Sequence, residues 1–519
     1  MNILGTGTPR TEFKLDDKSI TTIAGLKGIT AVAGITERGV LGTPRVIRSW
    51  VEYTRYYGGL MTDSLFPLYC KRALDRGATL EISRVAHYAD LADPTTVVGD
   101  KAVVALANGG ATVNAKAKSI GAWGNNLKVT IVAAANAVAG ECDISVELDG
   151  YPELSQILTN VTIAATPAQL TILNKKSTLV EFDTLVTGFP IVAETVLAGG
   201  TEDYSGLVDA DYIGTAASEL GFHAFDGSKL PTKICIPEVY TTAVEVALSD
   251  YVKSRGDMIA ILRTPSNITG LEAEQFRNKT GAYAGGTVID NAFCRLIYGD
   301  ITVINPLDDT ETDIHVIGDI LGVFASRDNN FKEWFAAAGN KRGRLFNNLG
   351  VVYNVGVPAR RDEANAMDRN GVEPVIDHES FGTVFWGNST LQKKSTLLSH
   401  ANVAELIVYL NRTIKPLAQE SLFDPNDIAT WKDIYRRVDA LMAFIKAERG
   451  VFDYAYQGDQ DIDDVSEAQI NDSNSIALGV YKFNLFVQPT PALKYVGVTV
   501  TVTNTGVSLA VINEQPTVQ

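Results

Sequence analysis

Cysteine is scarce. Cys70, Cys142, Cys235 and Cys294 are the only four in 519 residues, and none forms a CxxC pair. That spacing excludes a thiolate zinc knuckle and a disulfide framework, and predicts reduced, buried thiols. Histidine is equally thin: His87, His223, His315, His378 and His400 are widely separated, with no HxxxH and no neighbouring cysteine. No metal site is expected from them. The phosphate-cradling GxxxxGK[ST] and the nucleophile elbow GxSxG are both absent, so no cofactor and no catalytic residue is expected. No apolar run reaches the ~18 residues of a membrane span. The opening MNILGTGTPRTEFKLDDKSI lacks a basic and an apolar signal region, so no secretory leader is expected. Positive charge is in deficit, 45 Lys and Arg against 61 Asp and Glu for a net −16. Bulk nucleic-acid binding needs the opposite balance.

Hydrophobic residues make up 45% and charged residues 20%, as in an ordinary globular chain long enough for roughly three or four domains. The block Ile20–Val85 reads as an ordered string of small elements. An apolar strand, Ile29–Ile35, ends at Thr36-Glu37-Arg38-Gly39. A Gly-Thr-Pro turn leads to Arg48-Ser49-Trp50, a helix closes at Tyr57-Gly58-Gly59, and a second ends at Arg76-Gly77 before the strand Thr79–Val85.

From Lys101 to about Gly200 threonine, valine and alanine dominate. Alternating runs such as Leu127–Val132 and Asp143–Leu148 lie between Gly109-Gly110, Asp149-Gly150 and Gly199-Gly200, which predicts an inserted β-rich unit. From about Tyr204 helical stretches (Tyr212–Leu220, Val239–Arg255, His315–Ala325) alternate with the strands Lys233–Ile236, Met258–Leu262 and Ile301–Asn305, as in a layered sheet with crossover helices. A helix over Leu398–Leu422 should kink or break at Pro416. Asp424-Pro425 looks like the N-cap and first position of another helix, with Ile428, Trp431, Ile434, Val438, Leu441, Met442 and Ile445 on its apolar face and Gly450 as its stop. Two alternating strands follow: Tyr481, Phe483, Leu485 and Val487 share one face, and Val496, Val498, Val500 and Val502 share another.

The order of elements in Ile20–Val85 resembles the N-terminal core of contractile tail sheath proteins of phage tails and related injection devices. Ala117–Leu127, Trp334–Gly343 and Val375–Leu391, where Trp-Gly is followed shortly by Thr-Leu, are similar to segments of the same family. The likeness covers about 20–90 and 205–505. It implies a multidomain α/β (α+β) fold: an N-terminal arm (1–19), the first part of an α/β core (20–95), an inserted β-rich domain (101–203), a middle domain of non-catalytic, subtilisin-like architecture (204–374), a C-terminal sheath domain (375–505) and a tail (506–519). It also implies a virion tail subunit assembled in the host cytoplasm. This subunit would form a helical homo-oligomer of stacked hexameric rings around an inner tail tube, meet baseplate and tail terminator proteins, and neither contact nucleic acid directly nor insert into a membrane. No Pro-Gly-Val-Tyr-like start is present. An α/β hydrolase and a non-contractile virion protein are the competing readings.

The resemblance gives two surfaces a role. Lys432, Arg436, Arg437, Lys446 and Arg449 form a basic set on the last helix, in the region that lies next to the tube in the family. The bland alternative is a solvated helix face. Tyr495, Val496, Val498, Val500 and Val502 mark a strand that either pairs within its own domain or adds to a sheet edge of a neighbouring subunit. His223, Asp226 and nearby serines can be arranged on paper into a triad, but no nucleophile segment supports it. The acidic run Gln457–Asp464 lacks the glycine and glutamate of a calcium loop and reads as a solvated loop.

Overall fold

In the computed structural model, residues 28–136, 138–457, 470–471 and 477–494 are described. The expected arm at 1–19, nearly all of the acidic run and the strand expected from Tyr495 to Val502 lie outside them.

The first elements are β1 (Ile29–Gly34), β2 (Arg45–Ile47), α1 (Trp50–Tyr57), α2 (Phe66–Asp75) and β3 (Thr79–Arg84), in the expected order. Ser49 caps α1 by accepting from the Glu52 amide. Gly34 has to be glycine, because a Cβ there would sit 2.2 Å from the Phe66 ring.

The β-rich stretch holds β4 (Val103–Asn108), β5 (Ala111–Ala117), β6 (Leu127–Ala133), β7 (Glu141–Leu148), β8 (Gln156–Thr162), α3 (Pro167–Lys176), β9 (Val180–Val186) and β10 (Val192–Val196). They form two antiparallel sheets, β10-β6-β7-β8 and β4-β5-β9. The inward positions of both, such as Val129, Ile131, Ile144, Val146, Val113 and Phe182, make one core of their own.

The chain then returns to the first sheet through α4 (Asp209–Ile213), β11 (Lys233–Cys235), α5 (Thr242–Arg255), β12 (Ile259–Arg263), α6 (Gly270–Asn278) and β13 (Cys294–Tyr298). Next come β14 (Asp300–Ile304), β15 (Glu311–His315), α7 (Ile317–Asn330), α8 (Gly339–Arg342), β16 (Gly350–Val351), α9 (Arg361–Arg369), β17 (Val372–His378) and β18 (Gly382–Phe385). The resulting eight-stranded sheet runs β18-β17-β13-β12-β11-β1-β3-β2, parallel except at its two edge strands. Alternating strand residues feed a core on each face. Val32, Ile259 and Ile261 meet α2 and α7, while Ala31, Ala260 and Leu262 meet α5 and α6. All four cysteines are free and buried.

Last come α10 (Ala401–Gln419), α11 (Ile428–Ala447), β19 (Val451–Gln457) and β20 (Asn484–Pro489). The two strands form a hairpin-like antiparallel pair laid over α11. Tyr481, Phe483, Leu485 and Val487 do share one face, half-buried, between exposed Lys482, Asn484 and Phe486. No helix among the described residues is long and apolar enough to cross a membrane.

Several expectations need correction. His315 ends a strand, and the helix expected from it starts at Ile317 and runs to Asn330. The helix expected over Tyr212–Leu220 is only the short α4, ended by Gly214, where a Cβ would lie 1.9 Å from the Leu220 carbonyl oxygen. The helix containing Pro416 is not broken there. Proline removes the amide bond to residue 412, but it lies in the last exposed turns, where neighbouring bonds suffice. The cap of α11 is Asp427, which accepts from Thr430 at 2.9 Å, and Asp424-Pro425 belongs to the preceding turn. The expected break at 374/375 falls inside β17, which is bonded into the main sheet through Leu296, Ile297 and Tyr298. β11, β12 and β13 of the 204–374 stretch lie in one sheet with β1, β2 and β3.

Candidate functional site

The first half of α10, ANVAELIVYL, is apolar nearly all round and is buried almost throughout. The second half, NRTIKPLAQ, is polar and leaves the core. Asn411 donates to the Gly256 carbonyl, and the Arg412 guanidinium donates to the carbonyls of Lys229, Leu230, Pro231 and Asp257. These bonds fix the angle at which the α10–α11 pair projects. On α11, Trp431, Val438, Leu441, Met442 and Ile445 are buried, which turns the remaining face to solvent.

That face sorts the basic set. Lys432, Arg436 and Lys446 are exposed and, at about 100° per residue, fall within roughly 80° of one another around the helix axis. Ala440, Ala443 and Ala447 lie exposed between and beside them. Arg436 has no charged partner among the described residues. Lys446 meets Asp453 at 2.8 Å. Arg437 is turned aside: it pairs with Glu420 at 2.9 Å and with Asp433 on its own helix. Arg449 leaves the helix in the left-handed region at φ 63° and faces a groove at the base of the helix pair. The structure thus brings Lys432, Arg436 and Lys446 onto one face and separates Arg437 and Arg449 from it.

Beneath this platform lies a feature not anticipated from the sequence. Glu373, Arg295, Glu405, Arg327, Asp328 and Lys233 form an alternating chain of buried charges, each at most 4% exposed. Arg295 holds Glu373 through two bonds of 2.8 and 2.9 Å and reaches Glu405 at 2.7 Å. Glu405 also accepts from Arg327, which meets Asp328 at 2.5 Å, and Lys233 closes the chain on Asp328 at 2.7 Å. The chain crosses β17, β13, α10, α7 and β11, so it ties the projecting helices to the sheet. Burial pushes the Glu373 carboxyl up, with Arg295 opposing. Arg295 and Arg327 stay above the ordinary arginine range because their carboxylate partners outweigh the loss of hydration. Glu333, beside the chain, is raised to about 7, first by burial and next by repulsion from Asp328. A signal was available: Arg295 sits in CRLIY and Glu405 in the apolar run AELIV, where a charge needs a buried partner.

His223 and Asp226 do meet, at 3.0 Å, but they lie three residues apart on one turn, with His223 edge-on to Tyr251. Among the described residues no serine hydroxyl bonds to His223; Ser228 donates instead to Glu81. No group of three or more metal-ligating side chains is present among the described residues.

No protein-family model matches the chain. It is 25% identical over 233 residues to the tail sheath protein of Vibrio phage KVP40, covering 44% of this chain and 33% of that protein. It is 22% identical over 199 residues to the tail sheath protein of Enterobacteria phage T4, covering 38% and 28%. The chain thus spans about a third of the length of the curated relatives it matches. Among solved structures, a sheath tail protein of Listeria innocua superposes with a TM-score of 0.58 at 14% identity, covering 90% of this chain and 96% of that one. The helical sheath of the anti-feeding prophage in its contracted state superposes with a TM-score of 0.54 at 13% identity, covering 96% and 99%. The fold is therefore that of sheath subunits of contractile injection systems, a multidomain α/β architecture.

Proposed function

We propose that the chain is the structural subunit of a contractile tail sheath. Copies polymerise helically around an inner tail tube, engage a baseplate and a terminator, and on release rotate and compact to drive the tube through a host envelope. The observation that carries this reading is the near end-to-end superposition on a subunit of a contracted helical sheath, covering 96% of this chain and 99% of that one. The phage tail sheath relatives support the same reading and a place in the virion tail.

Such a machine stores its energy in contacts between rigid bodies that have two packings, and needs no nucleotide. The charge chain that fastens α10 to the sheet suits a body that moves as a unit. Lys432, Arg436 and Lys446 form the tube-facing surface in this reading, where rim charges set register and remain releasable. The strand marked by Tyr495, Val496, Val498, Val500 and Val502 adds to a neighbour's β19–β20 pair, which has no further strand among the described residues. The stretch 101–203 is a self-contained outer module.

The test is electron microscopy of the purified protein with its tube protein. Sheathed, striated tubes are expected. Lys432→Glu with Arg436→Glu should abolish coating of the tube, whereas Arg437→Glu, which lies off that face, should coat normally. Equal coating by the double variant would overturn the assigned tube-facing surface.

A further inference from the structure

The loop joining α10 to α11, Glu420–Asp427, carries an exposed Leu422 and a Phe423 with its whole side chain in solvent. Phe423 is also held at φ 77°, a region that L residues other than asparagine and aspartate rarely enter. Among the described residues no contact offsets either cost. Around this apolar tip stand Glu420, Asp424 and Asp427, and Asp424 has no side-chain partner among the described residues.

At the opposite end of the same helix pair lies a groove of about 1110 Å³. Its floor includes Ile376 of β17 and the half-exposed Trp386, and Leu493 lies exposed along it. Its rim carries Lys341, Arg361 and Arg449, all exposed and without an acidic partner among the described residues. The acid on the rim, Asp368, is already held by Lys494 at 3.0 Å. Tip and groove are separated by the length of α10, about 28 Å, so the chain cannot satisfy one with the other.

We propose that the Leu422–Phe423 tip of one copy docks in the Trp386 groove of the next, with Asp424 meeting the Arg361 and Arg449 rim. The pairing is argued from complementarity: an acidic apolar knob and a basic apolar groove on one polypeptide whose net charge is −16. A knob and a pocket at opposite ends make a heterologous, head-to-tail contact, which generates rings or an open helical polymer and not an isologous dimer. The inference rests on the polymer reading above and supplies a specific subunit contact for it.

The four native cysteines are buried, so introduced thiols can be read alone. Leu422→Cys and Asn365→Cys, an exposed groove position, are placed in one full-length chain and treated with a short bismaleimide. A ladder of dimers, trimers and higher species is expected. Mixing the two single variants should give dimers only. Phe423→Asp should cut the ladder at least tenfold with an unchanged circular dichroism spectrum. Arg361→Glu should also weaken it, and Asp424→Lys should then restore it. Absence of the ladder in a sample that microscopy shows to be polymerised would overturn the contact and leave the sheath reading standing. A ladder indifferent to Phe423→Asp, or a groove thiol that captures only Val502→Cys, would overturn it too. Failure of the parent chain to polymerise, alone or on a tube, would remove the sheath reading and the contact together.

Discussion

Glu405 lies between two buried guanidinium groups, Arg295 and Arg327, at 4% exposure. Removing its carboxylate leaves both without their shared counter-charge, and breaking a buried pair in this way costs about 3–5 kcal/mol. Glu405→Ala should therefore lower stability by that amount in denaturant unfolding; a loss within 1 kcal/mol would mean that water or other groups take over the arginines. Glu333 gives a pH dependence. Its folded pKa of about 7 lies above the ordinary 4.5, so its protonated form is favoured in the folded state. Its contribution to stability is full below the ordinary value and is lost as pH rises through about 7. Glu333→Gln should flatten that part of the profile and raise stability at pH 8. Unfolding midpoints of both proteins across this range would check it, and parallel profiles would contradict it. Arg295 and Glu405 were legible as oddities, charges inside apolar runs, but their partners come from elements far apart in sequence.

At the scale of elements, the backbones of α2 and α7 approach closely at Gly318. A Cβ on Gly318 would come within 2.7 Å of the Tyr69 carbonyl oxygen, and backbone cannot swing aside. Gly318→Val should cost at least about 3 kcal/mol by thermal unfolding, beyond ordinary overpacking, and a neutral effect would refute this packing account. The sequence made most elements visible where local signals agree: the stop of α1 at Tyr57-Gly58, the Gly109-Gly110 turn between β4 and β5, and the apolar spacing of α11. It misled where tertiary context decides. Asp427 takes the cap from Asp424 because Phe423 and Pro425 are consumed in the turn. Arg295 interrupts the apolar run of the interior strand β13 and hides it, and only the buried carboxylates explain that arginine. The groove could not be read at all, since its walls come from 334–342, 355–378 and 490–494.

The whole molecule combines an eight-stranded sheet, a separately cored β-rich module and a helix pair with exposed faces. Among the described residues those faces bear charged, aromatic and strand-edge features. The claim that these faces serve contraction is tested most directly by helical reconstruction of the full-length chain assembled on its tube, before and after a trigger such as mild denaturant. The account predicts two sheath states, one long and narrow and one short and wide, in which the core containing β1–β18 superposes while subunit contacts change. A single unchanging lattice, or a core that refolds between states, would contradict it.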